Sequence, residues 1–245
     1  MKNFIYGLVH PLKSVSFFIK YPKLILYSIV PVIINLIIYS SIFFFTYYKL
    51  TGLVKSVSGM ESNDVMWYNH LLYIFMLIIS FIVIIFLCYL IFTILGSLVT
   101  APFNENISQF IEEKILNEKI IYDIGFFKDT YRSITAEAKK LFFYIIFIVP
   151  LFLIGFIPVI GSIISGILIF LFSAFYNALD FFDYPMTRKN YTLRDKIKSV
   201  SGNLQVTMGF GVTGFALMVI PFLNVFLKPL LVVSGTAVYY EKKYK

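Results

Sequence analysis

The stretch Val219-Ile-Pro-Phe-Leu-Asn-Val-Phe-Leu-Lys-Pro-Leu-Leu-Val232 (VIPFLNVFLKPLLV) is apolar enough for a membrane, yet it is interrupted where a straight span would fail. Pro221 and Pro229 each lack a backbone donor, Asn224 is polar and Lys228 carries a charge. A spanning helix would lose hydrogen bonds at both prolines and carry a cation through hydrocarbon. The arm that leads in, Met208 to Val219, has twelve residues. That is about 18 Å of helix against a hydrocarbon core of roughly 30 Å. The expected solution is a turn inside the membrane, with irregular backbone sheltered by protein or a wet cavity.

Composition sets the frame for that reading. The 245-residue chain is 59% hydrophobic and only 14% charged, with a mean hydropathy of +0.85. A soluble domain is about a quarter charged, so this chain cannot cover its apolar surface with polar groups. The apolar residues fall into runs at 24–48, 71–99, 141–179 and 208–240. The expectation is an all-α, polytopic integral membrane protein without a cleavable signal peptide.

Charge distribution orients it. Residues 49–70 hold two of the 21 basic residues, Lys49 and Lys55, offset by Glu61 and Asp64. The others lie almost entirely in 2–23, 114–140, 188–198 and 242–245, which the positive-inside rule assigns to the cytoplasm. Tyr47, Tyr48, Trp67 and Tyr68 flank the basic-poor loop as an aromatic belt would. The net charge of +8 is therefore expected to face anionic lipid, not nucleic acid.

The runs starting at 141 and 208 must then begin and end on the cytoplasmic side. The chain reads as one membrane domain over 1–245. It has an interfacial helix at 1–20, spanning helices at 22–49 and 67–100, and cytoplasmic helices at 103–140. A first hemi-penetrating (re-entrant) hairpin at 141–179, a cytoplasmic basic segment at 183–203 and a second hairpin at 207–240 follow. Gly155, Pro158 and Gly161 break the first hairpin as Pro221, Asn224 and Pro229 break the second. Both termini are expected in the cytoplasm. In the first twenty residues Phe4, Ile5, Leu8, Leu12, Val15 and Ile19 form an apolar stripe opposite Lys2, Lys13 and Lys20.

Several motifs in order resemble the CysZ family of bacterial sulfate permeases, grouped with the eukaryotic etoposide-induced endoplasmic-reticulum protein. They are Ile29-Val-Pro-Val-Ile-Ile-Asn35, Thr100-Ala-Pro-Phe-Asn104, Phe156-Ile-Pro-Val-Ile-Gly161, Asp183-Tyr-Pro-Met186, Gly209-Phe-Gly211, Ile220-Pro-Phe-Leu-Asn224 and Ser234-Gly-Thr236. The resemblance implies two full spans plus two hemi-penetrating helical pairs, a bacterial inner membrane and movement of a small oxyanion, sulfate first. The alternative within the family is a non-transporting scaffold or assembly factor. In the sulfate permeases a pair of arginines precedes the first motif; this chain has Ile25-Leu26 there, with Lys23 nearby.

Candidate substrate contacts follow from helix ends at membrane depth, where free N–H groups favour anions. They are Lys228 and Asn224 at one tip and the Gly161-Ser162 backbone at the other. Lys23 heads the first span, and Asn35 follows Pro31. A path between the hairpins, completed by a neighbouring subunit in a homo-oligomer, is expected. No cofactor or metal is expected, since His10 and His70 read to opposite sides and Cys88 is the lone cysteine. The chain has no phosphate loop and no H-E-x-x-H or G-x-S-x-G motif. Glu112-Glu113 reads as a solvated face, Pro102 as the end of the second span, and Asp183 as a partner for Arg188 or Arg194.

Overall fold

The computed structural model describes residues 2–58, 66–91, 97–117, 125–220 and 223–242. It is all-α, with no strand among the described residues. The order is α1 (Lys2–Lys13), α2 (Val15–Lys20), α3 (Lys23–Val57), α4 (Trp67–Ile91), α5 (Ser97–Phe110), α6 (Phe126–Ile154), α7 (Gly161–Arg188), α8 (Leu193–Gly202), α9 (Leu204–Met218) and α10 (Leu223–Glu241). A π-turn, Ile111–Ile115, continues α5.

Three helices have the length and composition to cross a membrane: Lys23–Val57, Trp67–Cys88 and Gly161–Arg188. Their apolar side chains face outward, as lipid contact requires of a span. The third is α7, where the sequence reading has a re-entrant arm. Its lower part, however, is buried without a gap from Phe181 to Arg188 and carries Asp183 and Arg188. Pro102 also departs from expectation, since it lies inside α5 and ends no span.

The chain forms two compact units. Ile33–Ser97 holds α4 and the part of α3 from Ile33 onward, and Asn69 Nδ2 donates to the Ser58 carbonyl at 2.9 Å. Cys88 is buried there as a small apolar side chain. The other unit, Met1–Val32 with Leu98–Lys245, holds the core. Phe181, Phe182, Phe210, Leu231, Val233 and Tyr239 form its centre, where α7, α9 and α10 meet.

Glycines set how closely these helices approach. A Cβ on Gly209 would stand 2.1 Å from the Phe4 carbonyl oxygen, and one on Gly211 would stand 1.8 Å from that of Ala174. Helices packed in lipid gain from such backbone proximity because apolar burial alone gives them little. The contact with α9 also explains α1: Gly7, His10 and Pro11 are buried, while Ile5, Leu12, Val15 and Ile19 stay exposed. The apolar stripe of the N-terminal helices thus points away from the protein.

Candidate functional site

The first hairpin is zipped by aromatic rings. Tyr144 and Tyr176 lie 4.5 Å apart by centroids, and Phe147 and Phe172 lie 5.5 Å apart. Near its tip Ser165 Oγ donates to the Leu151 carbonyl at 2.7 Å. A Cβ on Gly161 would lie 2.4 Å from the Ile154 carbonyl oxygen, so only glycine closes the turn as built. Val159 takes a left-handed φ of 73°, which a β-branched residue rarely adopts, and it is 92% exposed. Phe156, Ile157 and Ile160 beside it are exposed too.

At the other end of this hairpin, ionic side chains are buried together. Lys140 Nζ lies 2.6 Å from Asp180 Oδ1, 2.8 Å from Glu137 Oε2 and 3.2 Å from Asp183 Oδ2. Lys196 Nζ lies 2.5 Å from Asp183 Oδ1 and donates to Thr187 Oγ1 at 2.7 Å. Lys228 Nζ stands 3.9 Å from Glu137 Oε1. Three carboxylates therefore face three ammonium groups drawn from α6, α7, α8 and α10. Buried charge survives only when paired in this way.

A second cluster surrounds Arg188. Its Nε and Nη2 donate to the two oxygens of Glu112 at 2.9 and 2.7 Å, and its Nη1 donates to Glu105 Oε1 at 2.6 Å. Nη2 also reaches Ser108 Oγ at 2.7 Å, and that hydroxyl pairs with Thr236 at 2.7 Å. Glu112 is therefore a buried ion-pair partner, not part of a solvated face; only Glu113 is exposed. Asp183 likewise pairs with Lys140 and Lys196, not with Arg188 or Arg194.

The proposed substrate contacts lie at separate places. Lys228 joins the buried network, with its side chain 14% exposed. Gly161 and Ser162 open α7 at the hairpin tip, nineteen residues above Asp180, which is about 28 Å of helix. Lys228 and that tip are thus not brought together. Lys23 is exposed as the first residue of α3. Asn35, in the other unit, is only 7% exposed, and its Oδ1 has no hydrogen-bond partner. Asn224 lies in the first turn of α10, but its side chain is outside the described residues. No cluster of three or more metal-ligating side chains occurs among the described residues.

The family described as Sulfate transporter CysZ/Etoposide-induced protein 2.4 matches residues 10–229. The chain belongs to this family. Among its relatives, a protein of Vibrio parahaemolyticus named sulfate transporter CysZ is 27% identical, across 89% of this chain and 87% of its own. Proteins of the same name from Pectobacterium atrosepticum and Salmonella typhimurium are each 25% identical. They match 91% and 88% of this chain and 81% and 84% of their own. The sequence motifs that resemble CysZ therefore mark real membership, and the apolar helices fit an integral membrane protein.

Glu137, Lys140, Asp180, Arg188, Glu105 and Glu112 were not singled out as a site from the sequence. The available signal was charge placed at the edge of an apolar run. Lys140 directly precedes, and Asp180 closes, the uncharged residues 141–179.

Proposed function

We propose that the protein is a permease for a small oxyanion, with sulfate the first candidate, and that it is not an enzyme. The observation that carries this is Lys228, a largely buried cation in the second apolar hairpin of a CysZ-family chain. An ionisable side chain inside an apolar membrane segment is a functional site by default. The relatives' shared name supports sulfate. Ile25 and Leu26 are exposed and apolar, so Lys228 takes on the anion-attracting part that an arginine pair would play.

Both hairpins are re-entrant in this reading. Above the Lys140 network α6 continues for the fourteen residues 141–154, about 21 Å of helix, into an uncharged, exposed, apolar tip. Along α7 the same tip stands nineteen residues from Asp180, about 28 Å, so neither arm exceeds a roughly 30 Å core, and the tip carries no Trp or Tyr to anchor it at a far interface. The leading arm of the second hairpin is of similar length, since α9 spans the fifteen residues Leu204–Met218, about 22 Å. Both termini lie in the cytoplasm, the membrane is the bacterial inner membrane, and neighbouring subunits complete the path. Asn224, Gly161 and Ser162 line that path near the tips, while Lys23 and Asn35 serve the first span.

Uptake of radiolabelled sulfate into proteoliposomes, competed with sulfite, thiosulfate and phosphate, tests the reading. Sulfate uptake above that of empty vesicles is expected. Folded protein with no such uptake would instead make it a membrane scaffold.

A further inference from the structure

The N-terminal helices present two unlike faces. Gly7, His10, Pro11 and Ser14 form a buried line along α1 and the residue that follows it. That side of the helix holds both arms of the second hairpin. Thr213 Oγ1 of α9 donates to the Leu8 carbonyl at 2.6 Å, and Ser234 Oγ of α10 pairs with His10 Nδ1 at 2.8 Å. A Cβ on Gly7 would stand 2.2 Å from the Val206 carbonyl oxygen, so α1 and α9 meet backbone to backbone. Glu241 also reaches α1 here, through Tyr6 and His10.

The opposite face has no such contacts. Ile5, Leu12 and Ile19 recur every seven residues, which keeps them on one strip of a helix, and they are 55%, 55% and 80% exposed. Ser14, between α1 and α2, keeps a right-handed helical backbone, so the strip runs on into α2. Leu12 and Ile19 are each followed by an exposed lysine, Lys13 and Lys20, and exposed Lys2 and Lys23 stand at the two ends. The sequence has no Asp or Glu before Glu61. A helix built in this way lies along a bilayer surface, with its apolar side chains in the acyl boundary and its ammonium groups among the headgroups. Cations at that depth favour anionic over zwitterionic lipid. The span-length helix α3 begins at Lys23, so α2 ends where the chain enters the membrane.

We infer that α1 and α2 are a docking surface for anionic phospholipid, and that lipid held there fixes the second hairpin in place. The exposed strip and its lysines make the lipid contact. The buried line passes the restraint to α9 and α10 through Leu8, His10 and the glycine contacts. A leaflet rich in anionic headgroups holds α1 down and the hairpin with it, whereas a zwitterionic leaflet holds both less firmly. The order of the hairpin thus depends on lipid charge, whichever ion the protein moves.

The test uses the whole chain in detergent micelles, titrated with phosphatidylglycerol or phosphatidylcholine and followed by thermal unfolding. Phosphatidylglycerol should stabilise the wild type at a lower lipid fraction than phosphatidylcholine does. Lys13→Gln with Lys20→Gln should raise the half-saturating phosphatidylglycerol roughly tenfold, as loss of two surface cations implies. Arg194→Gln with Lys198→Gln removes the same charge from exposed positions on α8 and should shift it less than about twofold. Equal stabilisation by the two lipids, or equal shifts in the two double variants, overturns the docking surface. Should the Lys13 and Lys20 double variant not fold, Lys20→Gln alone must shift the half-point in the same direction. The coupling is read separately, by hydrogen exchange of the α9 amides in nanodiscs. Exchange in 204–218 should be slower in phosphatidylglycerol than in phosphatidylcholine, and the difference should vanish in the lysine variant. Exchange in α9 that ignores lipid charge overturns the coupling.

Discussion

Arg188 grips Glu112 through two parallel hydrogen bonds, from Nε to Oε2 at 2.9 Å and from Nη2 to Oε1 at 2.7 Å. This fork joins the end of α7 to the π-turn after α5, and Glu105 closes it from a third side. Removing one partner of such a pair leaves the other charge buried and uncompensated, at a cost of about 3–5 kcal/mol. Arg188→Met should therefore lower thermal stability in detergent sharply. Arg188→Lys should recover only part of it, because an ammonium cannot form the planar fork. An unchanged unfolding temperature for Arg188→Met would show that the cluster contributes little.

Helix spacing gives a second test. Gly211→Ala places a Cβ 1.8 Å from the Ala174 carbonyl oxygen, a backbone atom that can yield only if α7 and α9 separate. Overpacking of this kind costs about 1–3 kcal/mol or more. Gly166→Ala, where nothing lies within 4 Å, should be neutral or slightly stabilising. Equal unfolding temperatures for the two variants would contradict the close α7–α9 contact.

The C-terminal end of α10 should respond to acid. Glu241 is held below its ordinary value by its contact with His10; partial burial opposes this, and the Tyr6 hydroxyl adds to the lowering. A depressed carboxylate pKa gives stability that is present above the unfolded value and lost as pH falls through the folded one. Wild type and Glu241→Gln should therefore differ in unfolding temperature at neutral pH. The two should converge as pH falls below about 4.5, the ordinary glutamate value. A difference that stays constant down to pH values near 3 would remove Glu241 from this role.

Topology is open to labelling once Cys88 is replaced. With re-entrant hairpins, a thiol from Ser162→Cys should resist a membrane-impermeant reagent applied from outside. One from Ser56→Cys, exposed in the last turn of α3 within the basic-poor segment 49–70, should react. Reaction at both positions, in protein inserted in one orientation, would make α7 a complete span.

The helices and the first break were legible because apolar runs and glycines act locally, but Asn224 and Pro229, read as breakers of the second hairpin, lie inside α10. Gly161 opens α7 and Leu223 opens α10, near where the breakers fall in sequence. Ion pairing was not legible, because it depends on how helices meet. Asp183 and Arg188 are five residues apart, which puts them about 140° apart around one helix, so they reach different neighbours. Glu112 was misread because the Ile111–Ile115 π-turn breaks the 3.6-residue period on which a surface assignment relies. Lys228 stood out as a cation in an apolar run. Its relation to Glu137, 91 positions earlier, appears only once α6 and α10 are packed.

The most direct measurement is sulfate uptake by proteoliposomes containing wild-type protein or Lys228→Met, at matched protein content. Methionine keeps length and apolarity while deleting the charge. The account predicts uptake by wild type and a loss of tenfold or more in the variant, as expected when a charged partner of a buried anion is removed. Equal uptake by the two proteins, with the variant unfolding at a higher temperature, would contradict it. Lys228 would then be a buried charge with no part in transport.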